Sequence, residues 1–152
     1  MLDQLVSDLQ ADFLDDEGTA LVSEEYLRRS AERALPLVAS DLRIAYRLSG
    51  DTVTPEMPGD HRELWVLRAK VFVCRFLRAQ ASNRVSFSSG DKSMNRSSEA
   101  KNWADLEKDL LAEYAGRVTR INPAADETML TLEHRPLVFN RATLEEQEEV
   151  LP

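Results

Sequence analysis

The spacing of apolar residues near the start of the chain predicts two helices. Apolar residues within 2–14 recur at intervals of three and four, which places them on one side of an amphipathic helix. A second helix is predicted to begin at Ser23, because serine is a favoured N-cap residue and two glutamates follow it. Pro36 disfavours a helical conformation at Leu35, so we expect this helix to kink or stop there.

Two longer helices are predicted in the second half of the chain. Residues 60–82 carry apolar side chains on nearly every side, which is typical of a helix that its neighbours bury. We therefore expect this helix to be the centre of the fold. A fourth helix is predicted from just after Ser98 to about Val118. Its apolar face is formed by Trp103, Leu106, Leu110 and Tyr114.

The segment 41–58 has a different periodicity. Apolar and polar residues alternate from Leu42 to Leu48, which is the pattern of a half-buried strand. A turn signal follows at 49–51, and 52–54 is suited to a short partner strand. A small β-hairpin is the preferred interpretation, and a helix over 41–48 is the alternative.

These elements together predict a mainly α fold, a small helical bundle of about four helices within residues 1–123. The polar stretch 84–97 is predicted to be a protruding loop or hairpin, because it has few large apolar residues to bury and loops of this length are uncommon in compact domains. Residues 124–152 are predicted to form an extended C-terminal tail, since they show no useful helical face before Ala142.

The charges are unevenly distributed along the 152 residues, whose formal net charge is −8. Residues 1–25 hold acidic side chains and no lysine or arginine, 59–84 is mainly basic, and 121–152 is acidic again. Either the acidic ends pack over the basic middle of one chain, or the acidic end of one copy meets the basic middle of another. The net charge argues against free duplex DNA as a partner, because affinity for DNA depends on cations that neutralise phosphates.

The residue types that carry catalysis or metal binding form no recognisable pattern. Cys74 is the only cysteine, and His61 and His134 are far apart and belong to no metal-binding motif. The sequence therefore predicts no catalytic residues, no cofactor-binding residues and no metal ligands. The longest apolar runs are far shorter than the roughly 20 residues that cross a bilayer, so no membrane partner is expected.

Three segments, taken in order, resemble the head–tail connector (adaptor) proteins of long-tailed double-stranded DNA bacteriophages. The first is TPE at 54–56 leading into ELWVLRA at 63–69. The second is VSFSSGDKSMNRS at 85–97. The third is NWADLEKDLLAEY at 102–114, followed by RINP at 120–123. None of them is a catalytic fingerprint, so the resemblance depends on their combination and covers roughly residues 20–123.

The resemblance implies a structural virion protein and not an enzyme. Members of the family form an oligomeric ring, usually of about twelve copies, beneath the portal protein at the neck of the particle. The ring extends the DNA channel, through which DNA passes without sequence-specific binding, and it presents a platform for the next neck or tail protein. The resemblance thus implies a virion location at the head–tail junction, after synthesis in the host bacterial cytoplasm.

Two groups of residues are predicted to contact partners. In the loop, these are Phe87, Gly90, Asp91, Lys92, Ser93, Asn95 and Arg96, which would contact a neighbouring copy or the adjacent neck protein. In the tail, they are Leu130, Leu132, Arg135, Leu137, Val138 and Phe139, most of which would bury apolar surface only against another surface. Two alternatives remain open: another phage neck or tail-completion protein, and a cytosolic helical protein that binds a partner through the tail.

Overall fold

The structure is a computed structural model that describes residues 1–85 and 92–123, with the backbone alone for 84–85 and 92–97. Within these residues the chain forms four helices and one two-stranded sheet. In chain order they are α1 (Leu2–Asp12), α2 (Glu24–Leu42), β1 (Arg47–Ser49), β2 (Thr52–Thr54), α3 (Gly59–Val85) and α4 (Lys92–Ile121). The predicted mainly α fold with about four helices is confirmed.

The second helix begins as predicted but ends later. The Oγ atom of Ser23 accepts a hydrogen bond of 3.3 Å from the amide of Tyr26, so Ser23 is the N-cap of α2. The predicted stop at Leu35 is wrong, because α2 continues through Pro36 to Leu42. Leu35 and Val38 are buried on either side of the exposed proline. Burying each of them contributes about 1.5–3 kcal/mol, which offsets the roughly 3 kcal/mol that a proline costs inside a helix.

The small hairpin is confirmed, although its first strand begins at Arg47 and not at Leu42, which belongs to α2. The helical alternative for 41–48 is wrong beyond Leu42. Strands β1 and β2 are antiparallel, with Leu48 opposite Val53, and Gly50 adopts the left-handed φ of 62° in the turn. A residue of the turn also forms hydrogen bonds with the N-terminus of the first helix. Asp51 accepts a 2.7 Å hydrogen bond from the amide of Asp3 through Oδ1 and a 3.2 Å bond from the amide of Leu2 through its carbonyl. The hairpin therefore caps the N-terminus of α1.

Helix α3 is the central helix, as its apolar pattern predicts. It contacts α1, α2 and α4, and its fully buried side chains include Leu64, Trp65, Val73 and Cys74. The indole Nε1 of Trp65 donates a 2.7 Å hydrogen bond to the carbonyl of Ala31 on α2. This bond satisfies the one polar atom of a large buried side chain, so α2 and α3 are joined by both packing and hydrogen bonding.

Helices α3 and α4 form a long antiparallel pair. They have 27 and 30 residues, so each is about 40–45 Å long. The predicted loop 84–97 is too long, because α3 continues to Val85 and α4 begins at Lys92. Lysine, methionine and arginine at 92, 94 and 96 have high helix propensity, which outweighs the serines and asparagine between them. The connecting residues 86–91 lie outside the described part of the chain.

The acidic N-terminal segment packs on basic residues of its own chain. Asp8 forms an ion pair of 2.9 Å with Arg62, Asp12 forms one of 2.8 Å with Lys70, and Asp3 pairs with Arg28. Asp8 and Asp12 thus pair with the basic middle of their own chain, and contacts between copies stay a prediction. The acidic residues of the tail lie outside the described residues, so the same question stays open for them.

Candidate interaction surface

Helices α1, α3 and α4 enclose an open groove of about 550 Å³. Its floor is apolar and consists of Val66, Leu67 and Leu110. Its rim is charged and consists of Asp8, Arg62, Glu63, Lys70, Glu113 and Arg117. The volume lies within the range of about 300–1,000 Å³ that is usual for binding clefts.

The charged residues on the rim of this groove are already paired with one another or with neighbours. Arg62 and Lys70 pair with Asp8 and Asp12 of α1. Arg117 pairs with Glu63 on α3, and its Nη2 atom lies 2.7 Å from the carboxylate of Glu113. Because each of these cations has a carboxylate within reach, the groove offers an apolar floor without a strong field of either sign. Such a surface suits an apolar segment better than a phosphate.

An exposed leucine lies on α4 one helical turn from the lining of the groove. Leu106 is 40% exposed, and it lies one helical turn from the half-buried Leu110 on the same side of the helix. Toward the N-terminus of α4, the centre of the Trp103 ring lies 6.2 Å from the centre of the Phe13 ring. The face of α4 that the sequence predicts as apolar is thus only partly covered by the rest of the chain.

The residue after Leu106 on α4 carries a buried carboxylate. Glu107 is only 7% exposed, and its two oxygens lie 2.6 Å from Nε of Arg75 and 2.7 Å from Nη1 of Arg78. Sequence analysis missed this cluster. A signal exists, since Glu107 is four residues from Trp103 and three from Leu110, the spacing of residues that share a helix face. The two arginines, three residues apart, supply a matching pair of charges on α3.

A second polar network fixes the C-terminal end of α4 against α2. The hydroxyl of Tyr114 donates a 2.7 Å hydrogen bond to the carboxylate of Asp41, and the guanidinium of Arg68 lies 5.1 Å from the centre of its ring. Burial, followed by the bond to Asp41, raises the pKa of Tyr114. The side-chain amide of Asn122 donates a 3.2 Å bond to the carbonyl of Asp41. The chain therefore leaves α4 on the side that faces α2.

In the described residues, Cys74 is buried in the core and His61 is within hydrogen-bond distance of a tyrosine. Cys74 is buried, and burial, followed by the charge of Glu107, raises the pKa of its thiol from 9.0 to about 11. Nδ1 of His61 lies 2.6 Å from the hydroxyl of Tyr46. In residues 1–85 and 92–123, no three histidine, cysteine or carboxylate side chains are arranged to hold a metal ion. His134 lies outside these residues.

The surroundings of Cys74 predict its reactivity. We expect the native protein not to react with Ellman's reagent at pH 8, because the thiol is buried and its pKa of about 11 leaves it protonated. After unfolding in urea, one thiol per chain should react at once. Rapid reaction of the native protein at pH 8 would contradict the buried, protonated state.

The residues predicted to contact partners are placed only in part. Lys92, Ser93, Asn95 and Arg96 belong to the first turns of α4, with their backbone alone described. Phe87, Gly90 and Asp91 of the loop lie outside the described residues, as do Leu130, Leu132, Arg135, Leu137, Val138 and Phe139 of the tail. The predicted contacts of both groups stay predictions.

Comparison of the chain with models of protein families, with curated proteins and with solved structures found no match in any of the three. Among the helices that the structure describes, none contains a stretch long and apolar enough to cross a bilayer.

Proposed function

We propose that this chain is a structural subunit of a phage particle, a head–tail connector whose copies form a ring beneath the portal. The observation that carries the proposal is the open groove with its apolar lining of Val66, Leu67 and Leu110, and the exposed Leu106 one helical turn away from Leu110. An apolar strip bordered by polar residues is typical of a surface that binds another protein. The proposed role is thus structural and not catalytic.

The described residues of the first and third segments that resemble the connector family lie in adjacent elements of the fold. The first segment includes the end of β2 and the first half of α3, and the third lies within α4. These elements form the long antiparallel pair of helices together with the groove. The resemblance therefore involves the same elements that carry the exposed apolar face, which supports a role in assembly.

The charge distribution is compatible with a wall that DNA passes without binding. The net charge is −8, and the cations around the groove are paired with carboxylates. A surface that neutralises few phosphates has little affinity for DNA. We propose that the ring surrounds the DNA path in the neck of the virion, between the portal and the next neck or tail protein.

Electron microscopy of the purified chain, alone and mixed with the portal ring from the same genome, tests this proposal. We expect rings of about twelve copies with a central channel, stacked coaxially on the portal. A variant whose residues 90–93 are replaced by a neutral linker should keep the helical circular dichroism signal but dock less well. Particles of the chain that never contact the portal would contradict the connector role.

A further inference from the structure

We infer that an acidic loop of one copy of this chain, residues 14–21, docks on an arginine-rich face of a second copy. This arginine face consists of Tyr26, Arg29, Arg33, Phe72, Arg75 and Phe76 on α2 and α3. The inference deepens the proposed function and rests on it only in taking the chain to associate with itself. Both surfaces belong to the residues that the structure describes.

The arginine face combines partly exposed aromatic rings with guanidinium groups. The rings of Tyr26 on α2 and Phe76 on α3 stack with their centres 4.1 Å apart. The guanidinium carbons of Arg33 and Arg75 lie 5.7 and 5.8 Å from the centre of the Phe72 ring. All three aromatic side chains are only half-buried. Aromatic and arginine side chains are enriched in the cores of protein interfaces, so this face suits a protein partner.

The arginine face carries more positive charge than the described part of the chain neutralises. Arg75 shares the carboxylate of Glu107 with Arg78. Arg33 is exposed and forms no ion pair with any residue that the structure describes. Four arginines meet three carboxylates here: Arg29, Arg33, Arg75 and Arg78 against Glu25, Glu32 and Glu107. The face is therefore positive on a chain whose net charge is −8.

The acidic loop is held in one conformation by its own hydrogen bonds. Oδ1 of Asp15 accepts bonds of 3.0 and 2.7 Å from the amides of Glu17 and Thr19. Gly18 adopts a left-handed φ of 78°, a conformation that glycine reaches without strain. Because the loop is already ordered, a partner that binds it pays little conformational entropy.

The side chains that the loop exposes are complementary to the arginine face. Leu14 and Leu21 are 43% and 37% exposed, and they flank the acidic residues. Asp16 and Glu17 are exposed and form no ion pair with the described residues. Carboxylates of the loop can pair with guanidinium groups while its leucines pack against the aromatic rings. An open cavity of about 330 Å³ on the arginine face can receive one of these leucine side chains.

A second copy, and not the same copy, is the occupant because both surfaces are placed within one chain and do not meet there. The acidic residues of α1 are used within the chain, since Asp8 and Asp12 pair with α3. In the described residues, no ion pair joins Asp16 or Glu17 to the arginine face, and the bonds of Asp15 fix the loop in that position. The unpaired charges of opposite sign can therefore neutralise each other only between copies.

Two different surfaces on one chain are what a ring requires. A contact between a loop and a face is heterologous, because the two copies use different surfaces. Each copy in such a chain of contacts still has one free loop or one free face until a fixed rotation closes the ring. The inference thus supplies a contact that can repeat around the proposed assembly.

An exchange of charges between two variants of the full chain tests this contact. Arg33→Glu makes the arginine face acidic, and Asp16→Lys with Glu17→Lys makes the loop basic, while Asp15 stays because it orders the loop. Either variant alone should lower the association constant between copies by about tenfold or more, because like charges would meet. Sedimentation velocity measures the association constant, and circular dichroism verifies that each variant is folded.

An equimolar mixture of the two variants is the decisive sample. The acidic face of the first variant then meets the basic loop of the second, and the unaltered face of the second meets the unaltered loop of the first. We therefore expect association to return in the mixture. The matched control is Arg47→Glu on β1, an exposed arginine outside both surfaces, which changes the net charge by the same amount. It should associate normally alone and should not restore association when mixed with the loop variant.

The outcomes separate the inference from the proposed function. Loss of association in each variant alone with recovery in their mixture would support the contact. Normal association of either variant alone would overturn it, and so would wild-type copies that do not associate, while docking on the portal would still support the connector role. Loss without recovery would also overturn it, since the two surfaces would then bind something else, such as the tail of their own chain. Recovery that stops at pairs would support the contact and contradict the ring.

Discussion

Replacement of both arginines beside Glu107, as Arg75→Met and Arg78→Met, is expected to lower the free energy of unfolding by about 3–5 kcal/mol. The carboxylate of Glu107 is almost fully buried, and the two guanidinium groups are its partners at 2.6 and 2.7 Å. Without them, a negative charge would remain in a poorly hydrated site. Methionine keeps most of the aliphatic volume of arginine. The decrease in the free energy of unfolding should therefore come mainly from the unpaired charge of Glu107. Urea denaturation followed by circular dichroism measures it.

A triple variant is the control for this prediction. Addition of Glu107→Leu to the two methionine substitutions removes the unpaired charge and should restore most of the lost stability, since an apolar replacement of a buried ion cluster is often neutral or better. Glu107→Leu alone should cost less than the double arginine variant, because the arginines are nearly half exposed and can be hydrated. Equal losses in the double and triple variants would show that packing of the arginine side chains, and not the charge, is what matters.

Trp65→Ala is expected to lower the free energy of unfolding by a similar amount, about 3–5 kcal/mol. Trp65 is fully buried in the first half of α3 and is the largest of the fully buried side chains in the described residues. Its removal leaves a cavity between α2 and α3 and also removes the indole hydrogen bond to the carbonyl of Ala31. The substitution therefore combines lost packing with a lost hydrogen bond.

Two further variants separate the packing of Trp65 from its hydrogen bond. Trp65→Phe keeps much of the ring and loses the donor, so it should cost less than Trp65→Ala. Trp103→Ala removes a tryptophan that is only partly buried, and its effect should also be smaller. If Trp103→Ala proved as damaging as Trp65→Ala in urea denaturation, the central position of Trp65 would be contradicted.

Those parts of the fold that depend on local signals could be predicted from the sequence. Ser23 caps α2 because its side chain reaches an amide three residues away, which is a local geometry. The hairpin follows from the turn at Gly50, where a left-handed φ suits glycine. The position of α3 at the centre follows from its all-round apolar surface. In each case the local residues, without any tertiary contact, are enough to favour the observed conformation or position.

Features that depend on tertiary contacts could not be predicted in the same way. Pro36 opposes a helix locally, and only the burial of Leu35 and Val38 against the core explains why α2 continues. The groove is another example, since its lining combines residues that are far apart in the sequence, from Asp8 on α1 to Arg117 on α4. The exposure of Leu106 and the burial of Glu107 depend on which side of α4 packs on α3, where two arginines pair with Glu107.

Native mass spectrometry of the full chain, across a range of protein concentrations, tests the central claim most directly. We expect the chain of 17.2 kDa to assemble into one closed species, a ring of about twelve copies, with few intermediates because each contact has the same geometry. A single 17.2 kDa species at every concentration, with or without the portal ring, would contradict it.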